Sequence, residues 1–157
     1  MILRHLRLIL FVLSLLITQF LINNLSIFYV DLLGIVLIIT LIENKSSWLV
    51  LVTLSLVADL FGHWYLGSHL FTILLLSGLS TRMSRFYLLC GWINRTMIAN
   101  FFFLLMGLVI YLLDLALGKT FTSLFSIALE LFFLMPLVQF IFNTFVHAKS
   151  SEFIWYD

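Results

Sequence analysis

Apolar residues fill the chain in long blocks, and small polar breakers separate them. The blocks run Leu6–Ile22, Ile27–Ile42, Ser47–Phe61, Ser68–Thr81, Thr96–Leu117 and Phe121–Val146. The breakers are Asn23-Asn24, Asn44-Lys45-Ser46, Gly62, Gly67 and Gly118-Lys119. Uninterrupted apolar character over about 20 residues is the mark of a helix that crosses a bilayer, at 1.5 Å per residue. The pattern predicts an all-α chain of six transmembrane helices in one compact bundle, a single domain over 1–157. The third and fourth blocks are the shortest, which predicts a tight helical hairpin around Gly62–Gly67.

The basic residues set the direction of threading. With the N-terminus inside and six crossings, Arg4, Arg7, Lys45, Arg82, Arg85, Arg95 and Lys149 fall on the cytoplasmic side, and only Lys119 falls outside. Dropping one crossing or inverting the chain spoils that split, so the excess of inner positive charge favours cytoplasmic N and C termini. The segment from Arg82 to Arg95 then reads as a cytoplasmic connector, in which Arg82, Arg85 and Arg95 alternate with Phe86, Tyr87 and Trp92. Such a stretch lies at the interface with its cations near anionic headgroups, or docks a cytoplasmic partner.

Acids inside the apolar blocks are the positions that need explaining. An aspartate at mid-bilayer costs roughly 2.5–3.5 kcal/mol on insertion scales. Asp31 lies four residues into the second block, Asp59 near the end of the third, and Asp114 four residues before Gly118. The threading puts all three about one turn inside the outer interface, with His63 and His69 in the adjoining loop. Asn100, Gly107 and Asp114 recur every seven residues and share a face, where Gly107 would allow close approach of a neighbour. Ser55 stands one turn from Asp59. Thr122, Ser123, Ser126 and Glu130 form a polar stripe that places Glu130 near the bilayer centre, and Ser77, Ser80, Thr81 and Ser84 form another. Pro136, six residues after Glu130, removes a backbone donor and predicts a kink in the last helix.

Groups of this kind serve as hydrogen bonds between helices, or as a proton or substrate path through Glu130. No nucleophile–base pair is apparent, so no catalytic residue is expected. The His and Asp residues form no compelling set of metal ligands, so no metal site and no cofactor are expected either. His5 and His147 sit at the chain ends.

Composition narrows the class further. The 157 residues are 64% hydrophobic and 10% charged, and the mean hydropathy is +1.22. A soluble domain carries about a quarter charged residues, so most of this surface must face lipid or other helices. The first block lacks a small-residue cleavage site and reads as a retained helix, not a signal peptide. A single cysteine, Cys90, excludes an internal disulfide. A net charge of +1 and no glycine-rich phosphate loop give no sign of nucleic acid. The 17 phenylalanines, Phe101-Phe102-Phe103 and Phe132-Phe133 among them, supply bulky surface for lipid or a membrane partner.

Two stretches carry a family likeness: Ile27-Phe-Tyr-Val-Asp31-Leu-Leu, and Leu54-Ser-Leu-Val-Ala-Asp59-Leu-Phe-Gly-His-Trp-Tyr-Leu66-Gly67. With Leu112-Leu-Asp114-Leu and a proline in the last block, the chain resembles the rod shape-determining protein MreD family. The family has an aspartate–leucine entry to the second helix and an Asp-Leu…Leu-Gly signature at the third-to-fourth turn. Asp31, Asp59 and Gly67 match it directly, and Asp114 falls in a similar context. Val30 stands where a proline is common and Ser55 where a glycine is usual, and Gly62 comes one position before the usual turn glycine.

The resemblance implies a multi-pass protein of the bacterial inner membrane, a non-catalytic scaffold of the elongation machinery. It would bind the bitopic protein MreC, and through it the actin-like MreB and the elongasome wall synthases, so controlling peptidoglycan synthesis and rod shape. It also implies a bundle similar to the substrate-binding subunits of energy-coupling-factor transporters, with the aspartates lining or bracing an outward cavity. A vitamin-like binding subunit of such a transporter is the alternative. Its usual docking patch of small residues on the first helix has no counterpart here, because Leu6–Ile22 contains neither alanine nor glycine.

Overall fold

In the computed structural model every regular element is helical, among the described residues, which are 2–25, 29–43, 46–62, 65–118 and 130–146. Helices run α1 Ile2–Leu25, α2 Leu32–Glu43, α3 Trp48–Phe61, α4 Ser68–Leu89 and α5 Trp92–Ala116. A π-helical turn, Glu130–Leu134, leads directly into α6, Met135–Val146. The six apolar blocks thus correspond to six helices.

α2 is the axis of the molecule. All twelve of its residues are buried, and it packs against α1, α3, α4, α5 and α6. The sequence Leu-Leu-Gly-Ile-Val-Leu-Ile-Ile-Thr-Leu-Ile-Glu has no polar face to turn outward, and a helix apolar all round belongs inside. Thr40 fits because its hydroxyl donates back to the carbonyls of Val36 and Leu37, both at 2.9 Å. Around this axis the outer helices present lipid-like surface. Leu10, Leu13, Ile17 and Phe20 on α1 are each at least half exposed, as are Phe101, Leu108 and Leu112 on α5. α1 and α6 meet through an edge-to-face pair, Phe11 and Phe142, with ring centroids 5.8 Å apart.

Two helices are long and apolar enough to cross a membrane, the stretch Leu6–Leu25 of α1 and the whole of α5. α2 and α3, at 12 and 14 residues, extend only about 18 and 21 Å.

Several boundaries differ from the expectation. α2 begins five residues later than the apolar block, because Asp31 caps it, so Asp31 precedes the helix and does not lie inside it. α4 continues past Thr81 to Leu89, and α5 already starts at Trp92. The connector from Arg82 to Arg95 is therefore helical except for a break at Cys90-Gly91. No breaker occurs between Arg82 and Leu89, and Gly91 is the first residue to stop propagation. Within that corner Arg95 donates from Nε to the Cys90 carbonyl at 2.9 Å and from Nη2 to the Leu88 carbonyl at 2.6 Å. Its guanidinium also lies 5.8 Å from the centre of the Tyr87 ring. It satisfies carbonyls that the end of α4 leaves open.

The expected kink takes the form of the π-helical turn. Pro136 has no N–H for the carbonyl of Phe132, and its ring pushes that carbonyl away, so the preceding turn widens. Gly107 makes no close approach: it is exposed, and a Cβ built there meets nothing within 4 Å. Gly107 faces outward although Asp114, seven residues on, is buried. The close approach occurs at Gly34, which the apolar pattern does not single out. A Cβ there would lie 2.7 Å from Asp31 Cγ and 2.8 Å from Met106 Cε.

The serines of α4 contribute little to contacts between helices. Ser77, Ser80 and Ser84 return their hydroxyls to carbonyls three residues back, as Ser55 does on α3. Lys119 and the stripe residues Thr122, Ser123 and Ser126 lie outside the described residues.

Gly34→Ala is expected to force α2 away from Asp31 and α5. Overpacking of a close-packed site costs about 1–3 kcal/mol, read as a lowered unfolding temperature in a detergent thermal-shift assay. Gly107→Ala, on the open face, is expected to leave that temperature unchanged or raise it.

Candidate polar site at the α2–α4 end

The candidate site grows out of the buried N-terminus of α2. The first N–H groups of any helix have no partner within it, and here the whole turn is buried, so side chains supply the bonds seen. Asp31 Oδ1 accepts from the Gly34 N–H at 2.9 Å, the ordinary capping contact to the third helical residue. Gln19 Oε1, reaching from α1, accepts from the Leu33 N–H at 2.9 Å. Glu130 Oε1, from the π-helical turn, accepts from the Asp31 N–H at 2.6 Å. One turn before the helix, Asn23 brackets Val30, accepting from its N–H at 2.9 Å and donating to its carbonyl at 3.1 Å.

The second half of the site is the turn from α3 to α4. Asp59 sits in the last turn of α3, where the helix dipole disfavours a carboxylate. Its side chain reaches instead to the N-terminus of α4. Oδ2 accepts from the Gly67 N–H at 2.8 Å, and Oδ1 accepts from the His69 N–H at 3.0 Å. Gly67 has φ +96°, in the left-handed region, so glycine is required there. Gly62 has φ −93° and ψ 170°, extended backbone that any residue adopts, so its role in the turn is not conformational.

His69 joins the two halves. It lies in the first turn of α4, wholly buried, and not in a loop as its position after Gly67 suggests. Its Nδ1 is 2.7 Å from Asp59 Oδ1, and its Nε2 is 2.9 Å from Asp31 Oδ2. An ionised carboxylate only accepts, so one proton on each ring nitrogen, an imidazolium, satisfies both contacts. The imidazolium offsets one of the two negative charges. The N-terminal dipoles of α2 and α4, each aimed at a carboxylate, act on the remainder. Asp59, His69 and Asp31 thus link α3, α4 and α2, and Glu130 adds the last helix.

Of the residues singled out by sequence, Asp31, Asp59, Gly67 and Glu130 come together here. Asp114 is buried close to the end of α5, and that end meets the same turn, because Tyr65 Oη donates to the Leu117 carbonyl at 3.2 Å. Arg82, Arg85 and Arg95 lie at the opposite end of α4 and belong to a separate region. His69, Gln19, Asn23 and Gly34 are site residues that the apolar pattern does not single out. Two signals were present: Gln19 and Asn23 are spaced i, i+4 on an otherwise apolar helix, and Gly34 follows Asp31 by the three residues of a capping contact. His63 lies outside the described residues.

Most of the carboxylate oxygens and backbone donors in this arrangement are mutually engaged. The bonds made by Gln19, Glu130, Asp59 and His69 fix one helix end against another, while the Gln19 Nε2 donor is buried without a partner among the described residues. Among the described residues no three His, Cys, Asp or Glu side chains are arranged to hold a metal ion. No family model, no curated protein and no solved structure matches the chain.

His69→Ala removes the group that both carboxylates contact and leaves two negative charges buried together. Removing one partner of a buried charged pair costs about 3–5 kcal/mol, so the variant is expected to lose its monodisperse peak in detergent size-exclusion or to melt well below the wild type. The double change Asp31→Asn with Asp59→Asn, which keeps shape and removes both charges, is expected to lose less than the two single changes added together.

Proposed function

We propose that this protein is a non-catalytic membrane scaffold of the rod shape-determining MreD type. It would cross the bacterial inner membrane six times with both termini in the cytoplasm, and would bind MreC so as to organise MreB and the elongasome wall synthases. The observation that carries the proposal is the use made of Asp31, Asp59 and Gly67, the residues that match the family pattern. All three are committed to one buried network that locks α2, α3 and α4. A scaffold needs such an investment, because its product is a fixed outer surface and not a reaction.

Other features support the reading. The outer helices expose a broad apolar surface suited to lipid and to a helix from a partner. All but one of the basic residues collect on one side of the six-crossing topology, as cytoplasmic loops do. The short α2 does not argue against that topology. It is shielded by five helices, and buried helices and flanking extended chain are tolerated at membrane depth where protein covers them.

Co-purification from membranes tests the proposal. The wild-type chain is expected to retain MreC, and depletion of the chain is expected to turn rods into spheres. Asp59→Ala, which frees the start of α4, is expected to reduce MreC recovery several-fold while the protein still reaches the membrane. Normal rod shape together with full MreC recovery in Asp59→Ala would remove the functional role given to the network. Tight binding of a vitamin-like compound by the purified chain, without MreC, would favour the transporter-subunit alternative.

A further inference from the structure

We infer that the outward face of α4 at the α4–α5 corner is a binding site for an anionic glycerophospholipid, with Arg82 and Arg85 holding the headgroup phosphate. The inference does not depend on the scaffold reading. Three arginines lie in this corner, and the structure separates their roles. Arg95 is turned inward, donating to the Cys90 and Leu88 carbonyls and covering Tyr87. Arg82 and Arg85 are exposed. They are three residues apart on one helix face, which brings their guanidinium groups within reach of a single phosphate.

Among the described residues Glu43 acts on Tyr87 at this corner, but it is buried on the inner side of α4. No aspartate or glutamate occurs between Asp59 and Asp114, so both helices of the pair carry only positive charge over all but the end of α5. Arg82 and Arg85, on the outward side, are left to an anion from outside, and the surroundings specify what kind. At 100° per residue Leu74, Leu75 and Gly78 fall on the same face as Arg82 and Arg85. Leu74 and Leu75 are more than half exposed. Gly78, one turn before Arg82, opens the face, since a Cβ built there meets nothing within 4 Å. An apolar strip leading up to paired guanidinium groups matches an acyl chain joined to a phosphodiester. A soluble phosphate would use the arginines and leave the strip idle. Trp92, half exposed at the start of α5, adds the amphipathic ring that favours the headgroup level.

Native mass spectrometry of the full-length chain in detergent tests this, with phosphatidylglycerol and phosphatidylcholine of identical acyl chains. The wild type is expected to retain phosphatidylglycerol in preference. Each arginine near an anionic lipid is worth about fivefold, so R82Q/R85Q is expected to weaken phosphatidylglycerol binding by about 25-fold and leave phosphatidylcholine unchanged. Both side chains are exposed, so the thermal unfolding of this variant should match the wild type, and R82K/R85K should keep most of the preference. G78L, which places a bulky side chain in the middle of the strip, is expected to lower retention of both lipids. Equal retention of the two lipids by the wild type, or an undiminished preference in R82Q/R85Q, overturns the inference. So does competition by glycerol 3-phosphate as effective as that of the whole lipid, which would make a soluble phosphate the occupant. Loss of an acidic cytoplasmic protein from R82Q/R85Q with lipid retention intact would give the face to a protein partner instead.

Discussion

A helix enclosed on all sides has no solvent to complete its ends, and that constraint governs this molecule. α2 is apolar around its whole circumference, which makes it the natural centre of the bundle. Its first peptide groups then need acceptors from somewhere else. Gln19 comes from α1, Asp31 from the capping position, and Glu130 from the last helix. Asp31 cannot be buried alone, so His69 stands against it, and His69 in turn holds Asp59. Each polar residue at this end therefore answers a requirement created by another. The first requirement is simply that Leu32–Glu43 has no face to offer to water.

The same reasoning explains why the polar groups are so few. Apolar packing alone distinguishes poorly between one helix arrangement and another in a lipid environment, because lipid tails are as apolar as leucine. Directional bonds at one end of the bundle select a register that Leu, Ile and Phe contacts leave loosely specified. Elsewhere hydroxyls such as those of Thr40, Ser55 and Ser80 return to their own helices. They behave as small apolar residues that happen to carry an oxygen.

Helix number and order were readable from the apolar blocks, because bilayer-length periods need no tertiary information. Asp31 and Asp59 also stand out in the sequence, since a carboxylate in such a block has few cheap explanations. The ends were less legible. Asp31 reads as interior to its block, because Ile27, Tyr29 and Val30 are as apolar as the helix that follows, and only the capping bond to Gly34 reveals the start. His69 reads as a loop residue because its partners lie 38 and 10 residues away, and no local pattern encodes such a pairing. Gly107 misled for the opposite reason. Its spacing with Asn100 and Asp114 is regular, but regular spacing does not show whether a neighbour is there. Arg82 and Arg85 looked like connector residues because arginine is read as a boundary, although it propagates a helix nearly as well as leucine.

The bond from the Asp31 N–H to Glu130 spans 99 residues, which places a time on the assembly of the centre. A ribosome adding about 5–20 residues per second delivers the acceptor roughly 5–20 seconds after the donor. Over that interval the axial helix exists with its first peptide group uncompleted, while α3, α4 and α5 are still arriving. The core of this protein is thus among the first parts made and the last part finished. During synthesis its unfinished end is open to whatever other acceptor its surroundings present.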